Sequence, residues 1–382
     1  MKIVADDKIP FLRGVLEPYA EVVYLPGAAI GRAEVRDADA LIVRTRTRVD
    51  RALLEGSRVR FVATATIGYD HLDTAWLDEA GIRWTNAPGC NAGSVMQYVA
   101  AALAWLARRH GFSFQGTTLG VVGVGHVGTK VAHLAELLGF DVLLNDPPRQ
   151  RAGDDLPFLP LETVLRESDI ITLHVPLHRE GRDKTLAMVD ELFVSRMKKG
   201  ALLINSSRGP VVVDAVLKEA LRQGHLRGAV LDVWNGEPRI DRELMDLTDL
   251  ATPHIAGYSV DGKANGTAMS VQALARHFGL PLTRWYPGRL PPPEEPLITV
   301  DASLTTFEEV LQHVILHTYP IERDDHALRR HPEKFEELRG QYPVRREFHN
   351  YTVRTETRNE QLLRTLEKLN FNIIKKENDE KS

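Results

Sequence analysis

An apolar run, Leu119–Val122, ends in Gly123–Val124–Gly125–His126–Val127–Gly128, and a stretch with Val127, Val131, Leu134 and Leu138 on one helical face follows. This order of strand, G-x-G-x-x-G turn and helix constrains the fold more than any other feature of the chain. Gly123 permits the tight turn, Gly125 lets a pyrophosphate approach the backbone, and Gly128 lets the helix pack close to the strand. The helix start, at His126 and Val127, offers free N–H groups and the positive end of the helix dipole to phosphate. The next apolar run, Val142–Asn145, ends at Asp146, about 20 residues on, where a carboxylate can accept hydrogen bonds from ribose hydroxyls. Asp146 would repel a 2′-phosphate, so NAD is expected rather than NADP, a preference that the nearby Arg149 and Arg151 weaken.

The surroundings of this turn repeat one pattern. Upstream, Lys2–Ala5, Val22–Leu25, Ala40–Val43, Phe61–Ala65 and Arg83–Thr85 read as strands, with helical spacing over Phe11–Tyr19, Asp50–Leu54 and Leu72–Ala80. Downstream, Ile170–His174, Ala201–Asn205, Ala229–Val233 and Leu250–Thr252 are apolar enough for central strands buried on both faces. Long helices are expected over Gly93–Arg109 and Val260–Phe278. Strands alternating with helices imply α/β architecture with mainly parallel sheets. Residues 287–296 hold five prolines among ten positions, which no regular element tolerates, and read as a linker. Beyond it, helices over Leu304–His317, Pro332–Arg339 and Glu360–Leu369 and strands at Phe348–Val353 and Phe371–Ile374 predict a small further α/β domain.

Composition removes other classes. The 382 residues suit two or three domains, and 43% hydrophobic with 26% charged is the balance of a folded chain rather than a disordered one. No apolar run approaches the ~20 residues that cross a bilayer, so no membrane association is expected. The start, MKIVADD, turns acidic by position 6, from which we expect no signal peptide and a cytoplasmic location. Cys90 is the only cysteine, so neither an intrachain disulfide nor a CxxC metal site can form, and no metal is expected. A net charge of −4 gives no electrostatic reason to bind nucleic acid.

Three segments follow strands of the second series: Asn205–Ser206–Ser207–Arg208–Gly209, Asp232–Val233–Trp234–Asn235–Gly236–Glu237–Pro238 and Thr252–Pro253–His254–Ile255–Ala256–Gly257. Ligands of open parallel sheets bind beyond the carboxyl ends of the strands, so Arg208, Glu237 and His254 can converge there. A lone Arg, Glu or His at a strand end is ordinarily a solvated loop residue. All three in order, downstream of a dinucleotide turn, point to chemistry. Oxidising an alcohol by hydride loss needs a base for the hydroxyl proton, which histidine supplies near neutral pH. A carboxylate beside it orients the ring, and an arginine holds a substrate carboxylate through two parallel hydrogen bonds.

On these residues the chain resembles the D-isomer-specific 2-hydroxyacid dehydrogenase family, and the likeness extends through Thr64–Ala65–Thr66–Ile67–Gly68–Tyr69–Asp70–His71, Ala87–Pro88–Gly89–Cys90–Asn91 and Gly262–Lys263–Ala264. The resemblance implies a Rossmann NAD-binding domain, 93–256, inserted in a flavodoxin-like substrate domain, 1–92 with 257–286, and a C-terminal dimerisation domain, 287–382, forming a homodimer. Within the family the closer likeness is to a branch that oxidises a small phosphorylated 2-hydroxy acid in pyridoxal phosphate biosynthesis. Arg208, Glu237 and His254 fall on the family's catalytic positions, with His254 as proton donor. Asp146, Val175, Ser206, Ser207, Arg208, Asp232 and Gly257 fall on NAD-contacting positions, and Thr45, Thr66 and Tyr258 on substrate-contacting ones. Phosphoglycerate- or lactate-type dehydrogenases share the catalytic set, as do NAD-sensing corepressors, whereas formate dehydrogenases carry Gln in place of Glu237.

Some residues are read from their positions alone. Arg44, Arg46 and Arg48 share a face if the strand before them continues, which makes Arg44 a candidate for the substrate's phosphate. Arg345 and Arg346 are candidates for reaching a neighbouring subunit's site. His110, His133, His174 and His178 lack metal-ligand spacing and are read as structural.

Overall fold

The computed structural model of the chain describes residues 1–301, 304 and 306–375. The chain divides into two compact units, Met1–Asn91 with Ser259–Pro291, and Ala92–Tyr258 with the chain from Pro292 onward.

The first unit is built on β1 (Lys2–Asp6), β2 (Glu21–Leu25), β3 (Ala40–Val43), β4 (Phe61–Thr64) and β5 (Arg83–Thr85). They form one parallel sheet in the order β2-β1-β3-β4-β5, the flavodoxin-like arrangement. β3 and β4 are buried along their whole length, because both faces are covered. On one face Ile3, Ile42, Phe61 and Ala63 pack with Val271 and Leu274 of the helix Val260–Phe278. Phe11–Tyr19, expected to be helical, is a series of turns. Its apolar spacing is real, since Leu12 and Leu16 are fully buried, but Phe11 and Gly14 adopt positive φ and Pro18 denies the chain a donor.

In the second unit, β6 (Thr118–Val122), β7 (Asp141–Asn145), β8 (Ile170–Leu173), β9 (Ala201–Asn205), β10 (Leu226–Leu231) and β11 (Leu250–Ala251) form a parallel sheet in the order β11-β10-β9-β8-β6-β7. A single parallel bridge from Leu144 to Phe158 prolongs it beyond β7, where the Rossmann order places a further strand. Chain order therefore reverses between β6 and β8, and the glycine turn after β6 lies at that switch point. The α/β architecture expected from the sequence is the one observed.

The chain after the prolines adds a smaller parallel sheet, β12 (Leu297–Thr299), β13 (Thr352–Thr355) and β14 (Asn372–Lys375). It shares a hydrophobic core with the larger sheet, in which Ile298, Val314 and Val353 pack in one cluster with Leu103, Val121 and Val230. The helix Phe307–Thr318 starts at a Thr306–Glu309 capping box; residue 305 of the helix expected from Leu304 lies outside the described residues. The helix Glu322–Arg330 covers the β11 edge, where Asp325 accepts the Ala251 N–H at 2.7 Å. Among the described residues no helix is long and apolar enough to cross a membrane.

Candidate active site

The glycine turn follows from contacts that only a missing side chain allows. Gly123 adopts φ +86°, and a Cβ there would lie 2.7 Å from the His174 carbonyl oxygen. A Cβ on Gly128 would come within 2.0 Å of the Gly123 carbonyl oxygen, so glycine alone lets the helix His126–Leu138 approach the turn. A Cβ on Gly125 meets no atom within 4 Å, so the chain leaves open space beside the helix start, where N–H groups are free to hold phosphate.

Asp146 stands at the end of β7, accepting the Val124 N–H at 2.8 Å and the Arg149 N–H at 3.0 Å. Each carboxylate oxygen keeps further acceptor capacity for a hydroxyl. Arg149 is paired with Asp154 and donates to the Val124 carbonyl, and Arg151 is paired with Asp183. Val175 follows β8, its Cγ1 at 2.9 Å from a Cβ built on Gly123. After β9, Asn205 accepts both the N–H and the hydroxyl of Ser207, and the Ser206 hydroxyl is buried without a hydrogen-bond partner among the described residues. That orphaned hydroxyl, the open side of Gly125 and the carboxylate of Asp146 fit a dinucleotide.

The catalytic candidates sit at the ends of adjacent strands. Nδ1 of His254, just past β11, lies 2.8 Å from Oε2 of Glu237, past β10. The Trp234 N–H donates to the other carboxylate oxygen at 2.9 Å. Burial pushes the Glu237 carboxyl up, yet the His254 bond and charge, the Trp234 N–H and the Arg339 guanidinium together hold it below its ordinary range. A carboxylate only accepts, so Nδ1 is the donor of this pair and Nε2 is the ring nitrogen outside it. Arg208 follows β9, where its guanidinium donates to the Ser207 carbonyl at 2.8 Å. Its neighbour Gly209 abuts Trp234: a Cβ there would lie 2.1 Å from the Trp234 carbonyl carbon.

Asp232 is almost fully buried and is committed to this loop. It accepts the Thr252 hydroxyl at 2.7 Å, the Ile255 N–H at 2.7 Å and the Ala256 N–H at 2.9 Å. Burial raises its carboxyl above the usual range against the opposing pull of His254 and these donors. Tyr98, on the helix Ala92–His110, joins the same network through Thr252 at 2.8 Å.

Tyr258 lies beneath the guanidinium of Arg339, 5.6 Å from ring centroid to Cζ. Gly257 directly precedes it in the loop after His254. Arg339 and Tyr98 were not singled out in the sequence. The only sign of Arg339 is one arginine at the end of a short helix, Phe335–Gly340.

In the first unit, Thr66 shares a hydrogen-bond chain with Thr64 at 2.8 Å, which in turn meets Nε2 of His71 at 3.0 Å. Arg44 donates to the Lys8 carbonyl at 3.2 Å, and Thr45 is exposed beside it. The three arginines do not share a strand face. The chain turns after Arg44, with the Thr47 N–H on the Arg44 carbonyl, the Thr47 hydroxyl buried on Gly27, and Arg48 paired with Asp50. Arg345 and Arg346 differ from expectation as well, being buried within their own chain.

Residues 94–256 match the family described as D-isomer specific 2-hydroxyacid dehydrogenase, NAD binding domain, and residues 290–369 match a domain of unknown function. The erythronate-4-phosphate dehydrogenase of Bacteroides fragilis is 50% identical over 92% of this chain and 99% of its own length. That of Cronobacter sakazakii is 43% identical over 97% of this chain and 98% of its own. Among solved structures, D-lactate dehydrogenase from Aquifex aeolicus, complexed with NAD and lactic acid, superposes with a TM-score of 0.62 at 25% identity, over 73% of this chain and 96% of that one. With the curated similarity extending through the proline stretch and the C-terminal segment, the chain belongs to the erythronate-4-phosphate dehydrogenase family of NAD-binding D-2-hydroxyacid dehydrogenases.

Proposed function

We propose that this chain oxidises 4-phospho-D-erythronate to (R)-3-hydroxy-2-oxo-4-phosphooxybutanoate, within pyridoxal phosphate biosynthesis. The observation that carries the chemistry is the His254–Glu237 pair, one end of whose imidazole is tied to a carboxylate at 2.8 Å. Bound NAD supplies the hydride acceptor. Nε2 of His254 takes the hydroxyl proton as the C–H electron pair leaves, and Glu237 stabilises the imidazolium that forms. Arg208 holds the substrate carboxylate and polarises the reacting oxygen. The turn Gly123–Gly128, Asp146, Val175, Ser206, Ser207, Asp232 and Gly257 bind NAD in this proposal. The salt bridges of Arg149 and Arg151 support NAD over NADP, since neither guanidinium is left uncommitted.

Arg44, Thr45, Thr66 and Tyr258 are proposed as substrate contacts, with Arg44 on the phosphate. The similarity to relatives named for a phosphorylated substrate supports that assignment. Homodimer formation through residues 287–382 belongs to the same proposal and is tested by sedimentation.

The test is a panel of 2-hydroxy acids with and without a terminal phosphate, read as NADH formation. Turnover of 4-phospho-D-erythronate far above that of D-lactate and D-glycerate is expected. Preference for an unphosphorylated acid would reassign the substrate.

A further inference from the structure

His254 adopts φ +56°, a left-handed backbone that a residue with a Cβ keeps only where its surroundings fix it. Two buried side chains grip the backbone that follows. Asp232 accepts the N–H groups of Ile255 and Ala256. Arg345, from the C-terminal segment, donates through Nη2 to the carbonyl oxygens of Ile255 at 3.2 Å and Ala256 at 2.5 Å. The peptide unit joining Ile255 to Ala256 therefore has its N–H on an anion and its C=O on a cation, with its dipole aligned to both.

Arg345 is itself built into place. It is 4% exposed, and its Cζ lies 4.5 Å from the ring centroid of Tyr319 and 5.7 Å from that of Tyr342. Asp324 accepts both of those phenol hydroxyls at 2.7 Å and supplies a counter-charge. Among the described residues Nε and Nη1 of Arg345 have no hydrogen-bond partner, and the loop after His254 receives the bonds of Nη2. A buried guanidinium with donors left unfilled is expensive for general packing, for which an apolar side chain serves better.

We infer that Arg345 is a positioning residue for proton transfer: with Asp232 it fixes the peptide that sets the imidazole of His254 against Glu237. It touches no reacting atom, and the inference rests on His254 acting as the base proposed above. The C-terminal segment thereby takes part in forming the site of its own chain.

The test uses the full-length protein with Arg345→Met and Arg345→Lys. In Arg345→Met, amide deuterium exchange at Ile255 and Ala256 is expected to accelerate by about tenfold or more, with β6 and β8 unchanged. Turnover, kcat, should fall by about tenfold or more while KM and Kd for NAD stay within about twofold, and Arg345→Lys should recover part of the loss. In a His254→Ala background, Arg345→Met should lower the residual rate no further. Unchanged exchange at Ile255 and Ala256 would overturn the inference, as would an equal loss of rate with and without His254. Loss of NAD binding in both Arg345 variants would mark a general packing residue and overturn it too. If the wild-type chain oxidised no 2-hydroxy acid, the proposed function would fail, and the exchange measurement would still decide the role of Arg345.

Discussion

His254 and Glu237, on the loops after two neighbouring parallel strands, meet through Nδ1 and Oε2 at 2.8 Å. The pair makes the imidazole directional: Glu237 accepts the Nδ1–H hydrogen bond, which leaves Nε2 for the proton transfer proposed above. A hydrogen bond to a charged partner contributes about 1.5–3 kcal/mol, roughly 10- to 150-fold in rate if it acts mainly in the transition state. Glu237→Gln is therefore expected to lower kcat within that range and leave the Kd for NAD unchanged. Steady-state rates with a binding titration check both.

Gly128 admits no side chain. A Cβ would lie 2.0 Å from a backbone oxygen that cannot move without opening the turn. Gly128→Ala should lower stability by about 1–3 kcal/mol and weaken NAD binding by at least about tenfold. Denaturant melts and NAD titration are the measurements.

Asp146 caps the helix Pro147–Arg151 and is proposed to read the ribose, and Asn separates the two. Asp146→Asn keeps one acceptor for the N–H groups of Val124 and Arg149 but removes the charge that repels a 2′-phosphate. The ratio of kcat/KM for NADP over NAD should rise by about tenfold or more, with a stability loss of about 1 kcal/mol for the weakened cap. An unchanged ratio would mean that Asp146 does not read the ribose.

Two partly buried histidines give stability a pH dependence. Burial pushes the His174 imidazole down to about 3 and that of His71 down to about 4, the latter against the raising effect of Asp70. Unfolded histidine titrates near ~6.5, so below that pH the unfolded chain binds protons that the folded chain refuses. The stability these residues contribute is complete above ~6.5 and falls with pH, at up to about 1.4 kcal/mol per pH unit for each, down to their folded values. His174→Gln should flatten the dependence of the urea midpoint between about pH 6 and 4.

Much of the fold was legible because the strands that matter most are continuous apolar runs. Ala40–Val43 and Ala201–Asn205 are buried at every position, and only a strand covered on both faces reads that way. The glycine turn was legible because Gly123 and Gly128 each answer a separate steric demand of the chain. Phe11–Tyr19 misled because apolar spacing records which residues are buried, not the backbone that buries them, and Leu12 and Leu16 are buried from turns. The arginines after β3 failed differently, since extrapolating a strand ignores a turn whose bonds come from Gly27 and His71, both distant in sequence. Arg345 was noticed only as a candidate for a neighbouring subunit's site, whereas it is buried in its own chain. Its bonds to Ile255 and Ala256 depend on packing between distant segments, of which local sequence carries no record.

The most direct measurement is NADH formation from 4-phospho-D-erythronate at saturating NAD by the wild-type chain and by His254→Ala. General acid–base catalysis contributes about 10²–10⁴-fold, so the variant should lose at least about 100-fold in kcat while binding NAD as tightly as the wild type. A variant that kept most of its rate would contradict His254 as the proton acceptor.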